Sequence, residues 1–342
     1  MKVLTVGDVH LQQSNVIETD EMIQKLVKAT QEIKPRFVVI MGDVLHRHEK
    51  IHVIPLMRAE HMLSLLSEIC HVYLLIGNHD RPNNSNFLTD EHPFNALKKW
   101  PNMTVVDKTT EAIIDGNKFV FTPYVSPGRF EEALNTIKNP LEGTRAIFCH
   151  QEFYGAKMGA IKSQAGDKWP LDYPFVISGH VHDYDQLQPN LIYTGTPLQS
   201  SFGDNDDKTI SLYTFNPVVP EEVQGKFIGN FTEQRIDLGL IRKITVYITP
   251  EEIHTYEPVV GKMIKLIIRG EDADLKSIAK LDKIKSLKRQ GIRIAYKPIP
   301  NKDTEKRKGP TLKLTFKDRL YVESSKDPSQ LSWFNTLFKS AV

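Results

Sequence analysis

The chain has 342 residues, 40% hydrophobic and 25% charged, a globular composition that excludes a disordered tail or a fibre. Its formal net charge is +2, but residues 1–239 hold 22 basic and 30 acidic side chains, whereas residues 240–342 hold 22 and 12. An acidic part therefore precedes a basic one.

Residues 3–6 form an apolar, β-branched run ending in Gly7-Asp8, a strand of the buried kind. Met22, Ile23, Leu26, Val27 and Thr30 recur at helical spacing until Pro35 closes the segment. A second strand, 37–41, runs into Gly42-Asp43. Leu56, Met57, Ala59, Met62, Leu63, Leu66 and Ile69 mark a second helix, and a third strand, 72–76, ends in Gly77-Asn78-His79-Asp80. This alternation implies a largely parallel sheet with right-handed crossovers.

The pattern then turns β-rich, with strands at 104–106, 112–114 and 119–122, the last two around the hairpin signal Asp115-Gly116. Strands at 146–149 and 175–178 end in His150 and in Gly179-His180-Val181-His182, and short strands follow at 184–187, 191–193, 210–215 and 235–238. Residues 217–230, rich in Pro, Gly and Glu, read as a long surface loop. From residue 241 the pattern predicts strands at 244–248 and 263–268, a basic helix over 274–290, strands at 293–297 and 311–316, and a short apolar helix over 329–338. The fold class is α/β (α+β). Two sheets pack face to face with helices outside over residues 1–240, a small α/β domain spans 241–325, and a C-terminal helix lies in 326–342.

Two cysteines, Cys70 and Cys149, cannot build a disulfide framework, which points to a reducing interior. Asp8 comes too early for a secretory signal, and no stretch approaches the roughly 18 apolar residues of a membrane span. A cytoplasmic protein without membrane contact is expected.

In open α/β sheets, ligands bind outside the carboxyl ends of the strands. Five predicted strands end there in side chains able to bind a metal: Asp8 and His10, Asp43, Asn78 and His79, His150, and His180 with His182. One such residue is ordinarily a cap or a turn; five groups in register are a signal. Carboxylate, amide and imidazole without thiolate suit Mn²⁺, Fe²⁺ or Zn²⁺ rather than a closed structural zinc site. With one shared carboxylate the seven ligands could hold two ions. Two ions about 3.5–4 Å apart can orient and deprotonate water and stabilise an in-line displacement at phosphorus, which is phosphate-ester hydrolysis.

The ordered set Asp8-Val9-His10, Gly42-Asp43, Gly77-Asn78-His79-Asp80, His150 and Gly179-His180-Val181-His182 resembles the signature of the calcineurin-like metallophosphoesterases, over about 175 residues. The resemblance implies that Asp8, His10 and His182 bind one metal, that Asn78, His150 and His180 bind the other, and that Asp43 bridges them. It makes His79 a proton donor to the leaving oxygen or a stabiliser of transition-state charge, with Asp80 fixing its orientation. The run Gly42-Asp43-Val44-Leu45-His46 lacks the Asp-Arg-Gly element of phosphoprotein phosphatases and is similar to the SbcD nucleases, in which the extra histidine, here His46, positions the scissile phosphate.

The second part resembles the SbcD capping domain. Lys276, Lys280, Lys283, Lys285, Lys288, Arg289 and Arg293, with a second cluster at Lys302, Lys306, Arg307 and Lys308, would bind DNA backbone without reading sequence. The resemblance further implies a nuclease subunit of DNA recombination and repair, exonucleolytic on duplex ends and endonucleolytic on single strands. Its ions would be Mn²⁺ first, with Mg²⁺, Fe²⁺ or Zn²⁺ as alternatives. It would act as a homodimer with an SbcC-type coiled-coil ATPase, in the host cytoplasm if phage-encoded; the 329–338 helix either packs on its own domain or serves as the ATPase dock. Two rivals stand beside this reading: a small-molecule phosphodiesterase or phosphatase with the same core, and a DNA-end-binding scaffold subunit.

Overall fold

The structure, a computed structural model, describes residues 1–48, 50–159, 161–216, 231–299, 320–321 and 323–338. β1 (Lys2–Val6), α1 (Val16–Ile33), β2 (Phe37–Ile40), α2 (Val53–Ile69), β3 (His71–Leu75) and β4 (Met103–Val106) form the first half of the sandwich. β5 (Thr110–Ile114), β6 (Asn117–Thr122), α3 (Phe130–Leu134), β7 (Thr144–His150), the hairpin β8 (Lys157–Met158) and β9 (Ile161–Lys162), β10 (Val176–Gly179), β11 (Tyr184–Gln188) and β12 (Leu191–Thr194) form the second. β13 (Ile210–Phe215) and β14 (Phe231–Ile236) return to the first sheet.

Among the described residues the sheet orders are β14-β13-β1-β2-β3-β4 and β11-β12-β10-β7-β6-β5. In each sheet a parallel core, β1 to β4 or β6-β7-β10-β12, carries antiparallel strands at its margins. The core strands are largely apolar because both of their faces are covered. Alternation sorts their side chains: Val3, Phe37, Val39 and Tyr73 meet Phe119, Phe121, Phe148 and Ile177 between the sheets. Leu4, Val6, Val38, Ile40 and Leu74 face Met22, Leu26, Met62 and Leu66 of α1 and α2. On the other outer face Val120, Ile147 and Val176 pack on Phe130, Phe153 and Trp169. Each fully buried aliphatic side chain contributes about 1.5–3 kcal/mol, so these three apolar layers fix the register of the strands. That register aligns the strand ends that matter for function.

The described residues divide into two compact units, one of Met1–Thr245 with Val259–Lys265, the other of Val246–Pro258 with the described residues from Leu266 onward. Strands β15 (Arg242–Ile248), β16 (Lys262–Gly270) and β17 (Arg293–Pro298) form a three-stranded sheet. The predicted helix over 274–290 is instead two helices, α4 (Asp272–Ile278) and α5 (Asp282–Arg289). The chain leaves helical geometry at Leu281 (ψ 144°), and Asp282 opens a new first turn, where an acidic side chain is favoured by the helix dipole. Each helix buries its own apolar pair, Leu275 with Ile278 and Ile284 with Leu287. The last described helix, α6, spans Pro328–Phe338.

The strand expected at 235–238 lies earlier, as β14, and α3 and the β8–β9 hairpin have no counterpart among the predicted elements. The predicted loop 217–230, the strand 311–316 and the cluster Lys302, Lys306, Arg307 and Lys308 lie outside the described residues. No described helix is long and apolar enough to cross a membrane.

Candidate metal centre

The parallel strands β1, β2, β3, β7 and β10 bring the predicted side chains to one place. Asp8 follows β1, Asp43 follows β2, Asn78 and His79 follow β3, His150 ends β7, and His180 and His182 follow β10. Close main-chain approach makes this possible. A Cβ on Gly77 would stand 2.2 Å from Asp43 Oδ1, and one on Gly179 would stand 2.7 Å from Asp8 Oδ1. His10, Asp43 and His180 all take positive φ (49°, 47° and 79°), a strained conformation that clusters at functional sites and persists only where the surroundings enforce it.

Two sets of donor atoms result. In one, His10 Nε2 lies 2.9 Å from His182 Nε2 and 3.7 Å from Asp43 Oδ2, and Asp8 joins these two imidazoles as a potential ligand group. In the other, Asn78 Oδ1 lies 3.1 Å from His150 Nε2 and 3.0 Å from His180 Nδ1. His150 Nε2 is in turn 3.3 Å from His180 Nδ1 and 3.4 Å from Asp43 Oδ2. Ligands about 2.1 Å from one ion, at right or tetrahedral angles, stand about 3.0–3.4 Å apart. The spacing of the second set therefore fits a shared cation, and Asp43 belongs to both sets.

Electrostatics point the same way. Burial lowers the pKa of His10, His180 and His182, to about 3 for His180, which leaves neutral rings with lone pairs to offer. Burial raises Asp8 to about 8, partly offset by His150. Burial opposes the ionisation of Asp43, but His150 and other imidazoles outweigh it and hold the carboxyl well below its ordinary range. The opposite balance raises His150 to about 9: burial disfavours its charge and the Asp43 and Asp8 carboxylates more than restore it. The ionised, buried Asp43 thus draws a positive charge into the centre. His150 Nδ1 donates to the Met41 carbonyl at 2.8 Å, which aims Nε2 at the other ligands.

His79 is placed by its surroundings rather than by its neighbour in sequence. Its backbone N–H donates to Asp43 Oδ1 (2.8 Å), and its Nδ1–H donates to the His46 carbonyl (2.7 Å). Nε2 is then the atom left to give or take a proton. The His48 ring stacks on it with centroids 4.4 Å apart, and His46 lies nearly parallel at 5.9 Å. Asp80, expected to orient His79, shows no bond to the His79 ring among the described residues. Its carboxylate accepts backbone N–H groups of Leu45 (2.9 Å), Gly77 (3.1 Å) and Val44 (3.3 Å), so it braces the loops carrying Asp43 and Asn78. Burial, with Asp43 nearby, raises Asp80 to about 6. His79 lines a cavity of about 520 Å³ with Arg47, His48, Asp80, Arg81 and Glu91.

Two supporting residues, Lys208 and Tyr124, escape sequence reading. Lys208 is fully buried and donates to the His182 carbonyl (2.8 Å) and to Asp183 (3.3 Å), though its setting in Asp206-Asp207-Lys208 suggests solvent. The Tyr124 ring lies 5.6 Å from that of His180. His48 carries one usable signal, the His46-Arg47-His48 spacing directly after Gly42-Asp43. On the second unit, Lys276, Lys280, Lys288 and Arg289 are exposed, and no ion pair is seen for them among the described residues. Lys283 instead pairs with Glu257 at 2.6 Å and Lys285 with Asp282 at 2.9 Å, so their charge is locally balanced.

Residues 1–184 match the calcineurin-like phosphoesterase family. The chain belongs to that family. Calcineurin-like phosphoesterases use divalent metals, and the ligand cluster is where this chain would hold them. Among relatives of this phosphoesterase, protein 244L of Invertebrate iridescent virus 6, which carries a phosphoesterase name, is 39% identical over 284 residues, covering 82% of this chain and 97% of the relative. Protein 078R of Invertebrate iridescent virus 3, similarly named, is 35% identical over 318 residues, covering 91% and 88%. Exonuclease subunit 1 of Enterobacteria phage T4 is 28% identical over 222 residues, covering 60% and 62%.

Proposed function

We propose that this phosphoesterase is a two-metal DNA nuclease subunit that hydrolyses phosphodiester bonds in recombination or repair. Convergence of Asp8, His10, Asn78, His150, His180 and His182 on a shared Asp43, with His79 beside them, carries the reading. Asp8, His10 and His182 would hold one ion, and Asn78, His150 and His180 the other, with Mn²⁺ as the first candidate and Mg²⁺, Fe²⁺ or Zn²⁺ as alternatives. Bound there, the ions supply Lewis acidity and an acidified water. The protein's own part is to place them and to meet the leaving oxygen with His79 Nε2, whose ring is fixed through Nδ1 to His46. His46 and His48 beside it suit a role in seating the scissile phosphate.

DNA rather than a small diester is favoured by the basic second unit, with Lys276, Lys288 and Arg289 exposed on two short helices and Lys280 exposed in the turn between them. The relationship to an exonuclease subunit favours it too. By the same reading residues 241–325 are a basic DNA-binding domain, the chain works in the cytoplasm as a homodimer, and it partners an SbcC-type ATPase docked through α6.

The test is to incubate the purified chain with linear duplex DNA, single-stranded DNA and bis-p-nitrophenyl phosphate, each with Mn²⁺, Mg²⁺ or EDTA. Metal-dependent cutting of DNA and of the small diester is expected. Hydrolysis of the small diester with DNA left whole, even with an ATPase subunit added, would favour the small-molecule rival.

A further inference from the structure

His180 enters the centre through Nδ1, close to Asn78 Oδ1 and His150 Nε2. A neutral imidazole that offers its lone pair at Nδ1 must carry its proton at Nε2. That nitrogen is buried and has no hydrogen-bond partner among the described residues. Oε2 of Glu152 faces it at 4.0 Å. The gap is about 1 Å longer than a hydrogen bond, and the terminal torsion of a glutamate is broad enough for its carboxylate to close such a gap.

Glu152 is not a loose surface acid. Its Oε1 accepts the Ser163 hydroxyl at 2.5 Å, and its carbonyl accepts Asp167 N–H at 2.9 Å. Ser163 itself is fixed at the foot of the β8–β9 hairpin, exchanging backbone bonds with Ala156 and Gly155 and accepting Gly166 N–H on its hydroxyl at 2.9 Å. Gly166 seats so tightly that a Cβ there would stand 2.3 Å from the Phe153 carbonyl carbon. One carboxylate oxygen is thus committed to the hairpin and the other is left toward His180, whose own main chain is held by Asp8 through bonds of 3.0 and 3.1 Å.

We propose that Glu152 is a positioning residue for the second metal site, accepting the Nε2 proton of His180 so that the ring presents Nδ1, with Ser163 holding the carboxylate in place. The inference rests on the two-ion reading above. Outer carboxylates of this kind are typically worth 10–100-fold in metal affinity.

The experiment titrates Mn²⁺ into wild type, Glu152→Ala, Glu152→Gln and Ser163→Ala, following the free ion by electron paramagnetic resonance. Long-range ¹⁵N–¹H spectra of the metal-free chain read the ring tautomer of His180, and thermal melts check folding. Glu152→Ala should bind the first ion as wild type does and the second 10–100-fold more weakly, with the His180 proton no longer confined to Nε2. Glu152→Gln, whose amide oxygen still accepts, should recover part of that loss. If Glu152→Ala melts early, the Gln and Ser163 variants decide by the same readouts. Wild-type affinities and an unchanged tautomer would overturn the proposal. A wild-type chain that takes up no second ion would overturn the two-ion reading itself.

Discussion

His79 and Asp80 are adjacent in sequence but divide their work. His79 lies against the centre, tied by its backbone to Asp43 and by its ring to His46, whereas Asp80 turns away to collect three backbone N–H groups. His79→Ala should therefore lower turnover of bis-p-nitrophenyl phosphate by about 10²–10⁴-fold, with manganese content near wild type by elemental analysis; loss of the metal would make His79 a ligand. Asp80→Asn puts an NH₂ group where N–H donors converge, which should cost about 1–3 kcal/mol and show as a lower melting temperature; an unchanged melt would refute the bracing role. The proposed metal ligands stand out in the sequence because each ends or closely follows an apolar strand, so one pattern speaks to both fold and chemistry. Lys208 is not, since only a long-range loop contact buries a lysine that local composition assigns to water. The orientation of His79 is hidden for a related reason: its partner, the His46 carbonyl, is a main-chain atom that no side-chain pattern announces.

Among the elements, the core strands follow from their periodicity, and the Asp115-Gly116 turn between β5 and β6 has both residues at positive φ (49° and 77°), as a two-residue hairpin needs. The basic helix reads as continuous because Leu275, Ile278, Leu281, Ile284 and Leu287 keep helical spacing across a break that only backbone geometry reveals. The break leaves Lys276 on one short helix, Lys288 and Arg289 on another and Lys280 in the turn between them. Replacing Lys276, Lys280, Lys288 and Arg289 together by alanine should weaken DNA binding at all sequences. The slope of log affinity against log salt should fall by up to about 0.9 for each phosphate no longer neutralised. Lys283→Ala, which removes a charge already paired with Glu257, should change the slope far less. Equal effects, or none, would contradict the assignment of this face to DNA.

Across the whole molecule, stability and catalysis draw on different charges. Asp107, buried just after β4, sits against His92 (3.3 Å) and Lys98. Burial opposes its ionisation, but those two hydrogen bonds prevail and depress its pKa from the ordinary 3.8 to about 2. A depressed acid stabilises the fold above its unfolded pKa, and that contribution fades as pH falls through the folded value. Asp107→Asn should thus be destabilising at neutral pH by roughly 2 kcal/mol, and its melting temperature should converge on that of wild type between about pH 4 and pH 2. A constant offset across that window would place the effect elsewhere.

The central claim is that two ions share Asp43 at the carboxyl ends of the parallel strands. Anomalous diffraction at the manganese edge from crystals grown with Mn²⁺ tests it most directly. The account predicts two peaks about 3.5–4 Å apart, one beside Asp8, His10 and His182 and one beside Asn78, His150 and His180, with Asp43 touching both. A single peak, or two with Asp43 on neither, would contradict it.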